Sequence, residues 1–128
     1  MNPSDLKYSE EHEWVRVESA SVVEIGITGF AAESLGDVVF VDLPEPGARF
    51  SQFDAIGEIE SVKAVSDLFT PIGGIVKEIN PEVIDNPEIV NQDPFGNGWL
   101  VKLEIADDDG LDQLMSSDQY NAFLESQE

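Results

Sequence analysis

Apolar and polar residues alternate with a period of two along most of this chain, the signature of half-buried strands. The stretch "WVRVE" at 14–18 predicts a first strand and "SVVEIGITG" at 21–29 a second, joined by a short Ser/Ala turn. "FAAESLGD" has the composition of a helical turn closed by Gly36. "DVVFVDLPEPG" predicts a β-branched strand running into a Pro-Glu-Pro-Gly turn. Strands are also predicted on both sides of Lys63, in "FDAIGEIES" and "AVSDLFTP", and again in "GGIVKEIN" and "WLVKLEI". Between the last two, residues 80–98 hold three prolines and four asparagines and read as irregular chain around two small apolar clusters. After residue 105 the periodicity changes. Leu111, Leu114 and Met115 can share one helical face, and Tyr120, Phe123 and Leu124 another, with Ser117 as cap and Asp118 in the first turn.

The pattern echoes itself. At an offset of 37 residues, "GDVVFVDLPEP" (36–46) overlays "GGIVKEINPEV" (73–83), pairing Gly36 with Gly73, Val38 with Ile75, Val39 with Val76, and Pro44-Glu45 with Pro81-Glu82. Two copies of one unit predict sheets related by an approximate two-fold. "EIESVKAVSDLF" lies between the copies, which places Lys63 at an exposed hairpin tip.

Length and composition narrow the picture. At 128 residues, with 41% hydrophobic residues, the chain reads as one folded domain, 1–128, with a hairpin region at 55–80 and a helical segment at 109–126. Six basic residues against 27 acidic ones leave a formal charge of −21, a surface that repels phosphate backbones and anionic lipid. Nucleic acid and membranes are therefore not expected partners. The absence of cysteine removes disulfides and thiolate nucleophiles. No apolar run reaches the roughly 20 residues a membrane span needs. The opening "MNPSDLKYSEEHEW" lacks the order of a secretory signal or presequence, so a cytoplasmic monomer is expected.

Candidate chemistry is sparse. With His12 the only histidine, a multi-histidine metal site is impossible, and no metal is expected. The run "DDD" at 107–109 reads as solvated charge, and no glycine-rich loop has phosphate-cradling spacing. No catalytic residue set is expected. Lys63 is different. It stands far in sequence from Lys7 and Lys77, flanked by small apolar Val62 and Ala64, with Glu58, Glu60 and Asp67 nearby. Carboxylates would hold its ammonium protonated, which disfavours a Schiff-base role. An amine that another enzyme acylates has no such difficulty, and in amide linkage it becomes the root of a long neutral tether.

"GEIESVKAVSDLFTPIGGIVKEIN" resembles the lipoyl-lysine region of the H proteins of the glycine cleavage system. "KYSEEHEWVRVE", "IGITGFAAESLGDVVFVDLPEPG" and "NPEIVNQDPFGNGWLVKLE" resemble that family's other blocks, so the likeness spans nearly the whole chain. It implies a mostly β fold, a barrel-sandwich hybrid of the lipoyl/biotinyl-carrier kind with quasi-two-fold sheets and short C-terminal helices. It implies lipoic acid amide-linked to Lys63, with Glu60, Ser61, Val62 and Ala64 read by the lipoylating enzymes. It implies a cleft for the loaded arm near Glu13, Asp67, His12 and Ser34. At Ser34 some members carry histidine, and at Gly29 the family usually places aspartate.

The implied function is that of a carrier, not an enzyme. It takes the aminomethyl group of glycine from a pyridoxal-phosphate glycine decarboxylase (P protein) to a tetrahydrofolate-dependent aminomethyltransferase (T protein). It then presents its dithiol to a dihydrolipoyl dehydrogenase (L protein). The nearest alternatives are a lipoyl-relay carrier and a lipoyl domain of a 2-oxo acid dehydrogenase. The latter usually carries Asp-Lys-Ala at its tip, where this chain has Val62-Lys63-Ala64.

Overall fold

A computed structural model describes residues 2–106 and 109–126. The "DDD" run therefore lies mostly outside the described residues, as do the ends of the 1–128 domain. Nine strands and several short helices alternate along the chain: β1 (Lys7–Tyr8), β2 (Glu13–Val17), β3 (Val22–Ile27), α1 (Gly29–Leu35), β4 (Val38–Asp42), β5 (Arg49–Phe50), β6 (Ala55–Ser61), β7 (Val65–Phe69), β8 (Gly74–Ile79), α2 (Pro81–Asp85), α3 (Ile89–Gln92) and β9 (Val101–Glu104). A 3-10 turn at Asp109–Gln113 and α4 (Ser117–Ser126) complete it. None of the described helices is long and apolar enough to cross a membrane.

The strands form two antiparallel sheets, one of six in the order β1-β2-β3-β9-β8-β5 and one of three in the order β4-β6-β7. This corrects the expected barrel-sandwich hybrid with quasi-two-fold sheets. The arrangement is a two-sheet sandwich with helices, mixed α/β, and neither sheet closes. Closure requires the outermost strands to pair. Here the larger sheet ends in the two-residue strands β1 and β5, too short to continue a ladder around a cylinder. The smaller sheet ends in β4 and β7, and Pro44 and Pro46, which have no N–H to donate, follow β4. The repeated unit falls once in each sheet, as β4 and β8, but sheets of three and six strands are not equivalent.

The main core fills the space between the sheets with Val23, Ile25, Val41, Ile59, Leu68, Val76, Val101 and Leu103, the inward residues of each alternating strand. A second cluster of Leu6, Tyr8, Trp14 and Tyr120 ties β1 and β2 to α4. Trp14 lies flat over Gly26, where a Cβ would stand 2.6 Å from the ring, and its indole N–H donates to the carbonyls of Ile27 and Pro94. Ser116, rather than Ser117, caps α4. Its hydroxyl accepts from the N–H of Gln119 while the Gln119 side chain accepts from the N–H of Ser116, a reciprocal capping box.

Segment 80–98 is more ordered than its composition suggests. Asn80 caps α2 by accepting from the N–H of Glu82, and Pro81 begins the helix, where its missing N–H costs nothing. The Asn80 amide also donates to the carbonyls of Asn97 and Trp99. These asparagines act as staples rather than breakers. Of the phenylalanines in or beside the predicted strands, Phe30, Phe40 and Phe53 are exposed and Phe69 is half-buried.

Close backbone approach fixes the hairpin that bears Lys63. β6 pairs with β4 and β7, and at Gly57 a Cβ would stand 2.1 Å from the carbonyl oxygen of Asp42. Replacing Gly57 by Ala forces β4 and β6 apart. We expect a loss of about 1–3 kcal/mol of stability, seen as a lower urea midpoint. An unchanged midpoint would show that the strands separate without cost.

Candidate functional site

The β6–β7 hairpin closes through residues 61–64. Ser61 N–H donates to the Ala64 carbonyl at 2.8 Å, and the buried Ser61 hydroxyl accepts from the N–H groups of Lys63 and Ala64. One serine thus satisfies the turn's backbone from within. Val62 is 67% exposed, and Lys63 and Ala64 are exposed beside it. The tip does not swing free, because Val62 N–H donates to the Asp37 carbonyl at 3.0 Å.

Asn91 holds that anchor point on both sides. Its amide donates to the carbonyls of Ala32 and Gly36, and its carbonyl oxygen accepts from the N–H of Val38. Gly36, at φ 78°, ends α1, and a Cβ there would lie 3.0 Å from Lys63 Cε. The lysine stem therefore crosses a glycine floor. Its amine sits 3.5 Å from the Ser34 carbonyl, at the negative end of α1, where a cation is favoured. The acidic neighbours expected from sequence do not pair with it. Among the described residues Lys63 has no ion pair, because Glu58 and Glu60 project outward from the small sheet.

Beside the amine a cavity of about 290 Å³ opens between α1 and the hairpin. Ile27, Phe30, Ala31, Leu35, Ile59 and Leu68 give it apolar walls. Ser34, Ser66, Asp67, Glu11, His12 and Glu13 supply its polar groups. The four cleft candidates from sequence, Glu13, Asp67, His12 and Ser34, thus line one space. Ser34 and Asp67 are exposed, His12 is half-buried and Glu13 is buried. Of the flanking positions, Glu60, Val62 and Ala64 are exposed and Ser61 is not.

Glu13 is only 2% exposed. Ser9 donates its hydroxyl to Glu13 Oε1 at 2.6 Å and accepts from the Glu13 N–H, and the Phe69 backbone supplies another hydrogen bond. No cation stands within ion-pair reach among the described residues. Burial pushes its carboxyl up to about 8, with Glu11 adding to the rise and the two hydrogen bonds opposing it. Near neutral pH Glu13 therefore favours its neutral acid form.

His12 adopts a left-handed backbone, φ 68°, held by His12 N–H to the Ser9 carbonyl and by Thr28 N–H to the His12 carbonyl. Its ring packs against Phe30 and Phe123, and Nδ1 lies 2.8 Å from the Tyr120 hydroxyl. Burial lowers its pKa. Ser9, Thr28, Asn91 and Tyr120 organise the site yet carry no sequence signal beyond ordinary polar and aromatic residues. Only the Thr28 position, just before a helical segment, hints at a cap.

An exposed amine at the tip of a hairpin of the small sheet, beside a cavity with apolar walls, is the arrangement of a carrier that presents a side chain to partners rather than of an enclosed active site. The family described as Glycine cleavage H-protein matches residues 6–127, and this chain belongs to it. It is 50% identical over 125 residues to the glycine cleavage system H protein of Carboxydothermus hydrogenoformans, covering 98% of this chain and 95% of that one. It is 51% identical over 121 residues to that of Symbiobacterium thermophilum, covering 94% of each. The crystal structure of an H protein from Mycobacterium marinum superposes with a TM-score of 0.90 at 36% identity, covering 97% of this chain and 99% of that one. The chain is accordingly a lipoyl-bearing carrier of the glycine cleavage system, shuttling aminomethyl intermediates between its enzymes and catalysing none of the steps itself. Family membership carries with it a lipoyl-lysine cofactor and work alongside the P, T and L proteins.

The buried acid has a measurable consequence. Because the folded pKa of Glu13 lies above its ordinary 4.5, the folded protein keeps a proton that the unfolded chain has lost. Its stabilising contribution is complete below about 4.5 and drains away as pH rises toward about 8. Glu13→Gln is expected to flatten the fall of the thermal midpoint across this window and to be the more stable protein above it. Parallel curves for the two proteins would assign the pH dependence elsewhere.

Proposed function

We propose that Lys63 carries the lipoyl group in amide linkage and that the adjoining cavity shelters the loaded end of the arm. The observation that supports this most directly is the position of the Lys63 amine, exposed at the tip and 3.5 Å from Ser34, a residue of the cavity wall. The residues fit the group: apolar walls suit an aliphatic chain, and buried Glu13 offers a polar terminus. When bound, the lipoyl group supplies the sulfurs that take up and give back the aminomethyl cargo. The chain's own residues do the rest. Acylation leaves Lys63 one N–H, which can still donate to the Ser34 carbonyl and direct the arm past it. Ile27, Phe30, Ile59 and Leu68 exclude water, which would otherwise strip an amine bound next to sulfur.

Glu13 receives the cargo's amine. A neutral amine entering the cavity takes the Glu13 proton, and the carboxylate so formed accepts a charge-assisted hydrogen bond from the resulting ammonium. Asp67, exposed on the same wall, adds a second carboxyl near the mouth. Holding the amine protonated withholds the lone pair that would help expel sulfur. The hold must stay modest, since the arm has to leave for the glycine decarboxylase, the aminomethyltransferase and the dihydrolipoyl dehydrogenase in turn. The exposure of Glu60, Val62 and Ala64 supports contact with the lipoylating enzymes, whereas buried Ser61 acts by shaping the turn.

Lys63→Arg should abolish the mass increase of one lipoyl amide while leaving the circular dichroism spectrum unchanged, and retained modification would move the attachment point. Glu13→Gln should leave lipoylation intact and speed ammonia loss from the loaded carrier about tenfold, in proportion to a lost charge-assisted bond. An unchanged rate of ammonia loss would rule out Glu13 as the group that holds the amine.

A further inference from the structure

Tyr120 lies outside the cavity, yet its hydroxyl joins two of the elements that form the wall. The ring is fully buried on α4, stacked on Tyr8 with centroids 4.7 Å apart and planes 6° from parallel. Its oxygen lies 2.8 Å from His12 Nδ1 and 2.8 Å from Thr28 Oγ1. Thr28 is the cap of α1, the helix that contributes Phe30, Ala31, Ser34 and Leu35 to the cavity. Thr28, also fully buried, accepts the Ala31 N–H on its hydroxyl oxygen.

The protons in this chain can be ordered in one way that leaves none stranded. Among the described residues the Thr28 hydroxyl has no acceptor other than the Tyr120 oxygen. Thr28 therefore donates to Tyr120, Tyr120 donates to His12 Nδ1, and the imidazole carries its proton on Nε2. Protonating His12 at Nδ1 would reverse the chain. The imidazolium would donate to Tyr120, Tyr120 would donate to Thr28, and the Thr28 proton would be buried without a partner. An orphaned buried donor bears its full desolvation penalty.

We infer that Tyr120 is a positioning residue which holds His12 as the neutral Nε2–H tautomer, so that a cationic cargo meets no positive charge in the cavity. The inference rests on the reading that the cavity receives an amine. Glu11 from its own segment acts on the His12 ring and Tyr120 from α4 bonds it, Glu13 and Asp67 line the same cavity, and the wall residues of α1 carry no charge. The Glu11 carboxylate would draw a proton onto an unrestrained imidazole, and an imidazolium would then compete with the cargo for Glu13. The hydroxyl chain opposes that, as does the burial that already lowers the His12 pKa.

Tyr120→Phe keeps the stacked ring and removes only the hydroxyl. In the unmodified full-length chain, imidazole nitrogen shifts should show His12 leaving the single Nε2–H form and titrating at higher pH. In the loaded carrier, ammonia loss should accelerate about threefold near pH 6 and little near pH 8, as expected for one lost hydrogen bond acting through a charge. The double variant His12→Asn/Tyr120→Phe should lose that pH dependence, because asparagine tolerates the left-handed backbone and cannot become a cation. Unchanged His12 shifts in Tyr120→Phe overturn the tautomer assignment. Altered shifts with equal acceleration at both pH values overturn its role toward cargo and leave only a structural one. If the cavity reading itself is wrong, Glu13→Gln fails to change cargo loss, whereas the nitrogen shifts still report on Tyr120.

Discussion

A carboxyl group sunk almost completely beneath the surface, with a hydroxyl and an N–H for company but no cation, sets the terms for this molecule. Burying an unpaired carboxylate is prohibitive, so Glu13 keeps its proton. The Ser9 hydroxyl and the Phe69 backbone favour the charged form and offset only part of that cost, while the tight turn from Ser9 to His12 that sets Ser9 beside Glu13 uses a left-handed residue. The amino-terminal segment and the end of β7 are thereby held around one buried polar point. A group so placed favours its neutral form, and a cation beside it would favour the carboxylate. That property suits a carrier, which must hold its cargo without binding every passing cation.

Presentation of the amine is governed separately. The hairpin tip owes its shape to Ser61 and its position to a backbone bond onto Asp37, which Asn91 fixes from α3. Glycine at 36 lets the lysine stem lie against the end of α1. The Lys63 amine and the cavity thus share one helix, with Ser34 and Gly36 under the amine and Phe30 and Ala31 in the wall. The acidic surface does not enter this geometry. Two of the six basic side chains, Arg16 and Lys102, are engaged in a cross-strand rung with buried Glu24 on the large sheet.

Much of the fold was legible. Strands β2, β3, β4, β6, β7, β8 and β9 each follow an alternation visible in the sequence, and Gly36 ends α1 where its residue type requires. Strands β1 and β5 were invisible because two residues have no period. Residues 80–98 misled because Pro and Asn, which break long helices, also begin and staple short ones, as Asn80 and Pro81 do. The expectation of a barrel failed at the sheet edges. Closure depends on whether distant strands meet, and local alternation says nothing of that.

For the site, the chain on its own determined that Lys63 stands at a turn between two alternating strands, since a turn and its flanks are local. It also named Glu13, Asp67, His12 and Ser34 through a family likeness that spans most of the chain. Only the tertiary structure decided that these four line one cavity, that burial raises the Glu13 pKa and that Lys63 has a helix end rather than a carboxylate for a neighbour. The physical reason is range. Ionisation and cavity shape depend on desolvation and on bonds between residues as far apart in sequence as His12 and Tyr120, which no short window of residues contains.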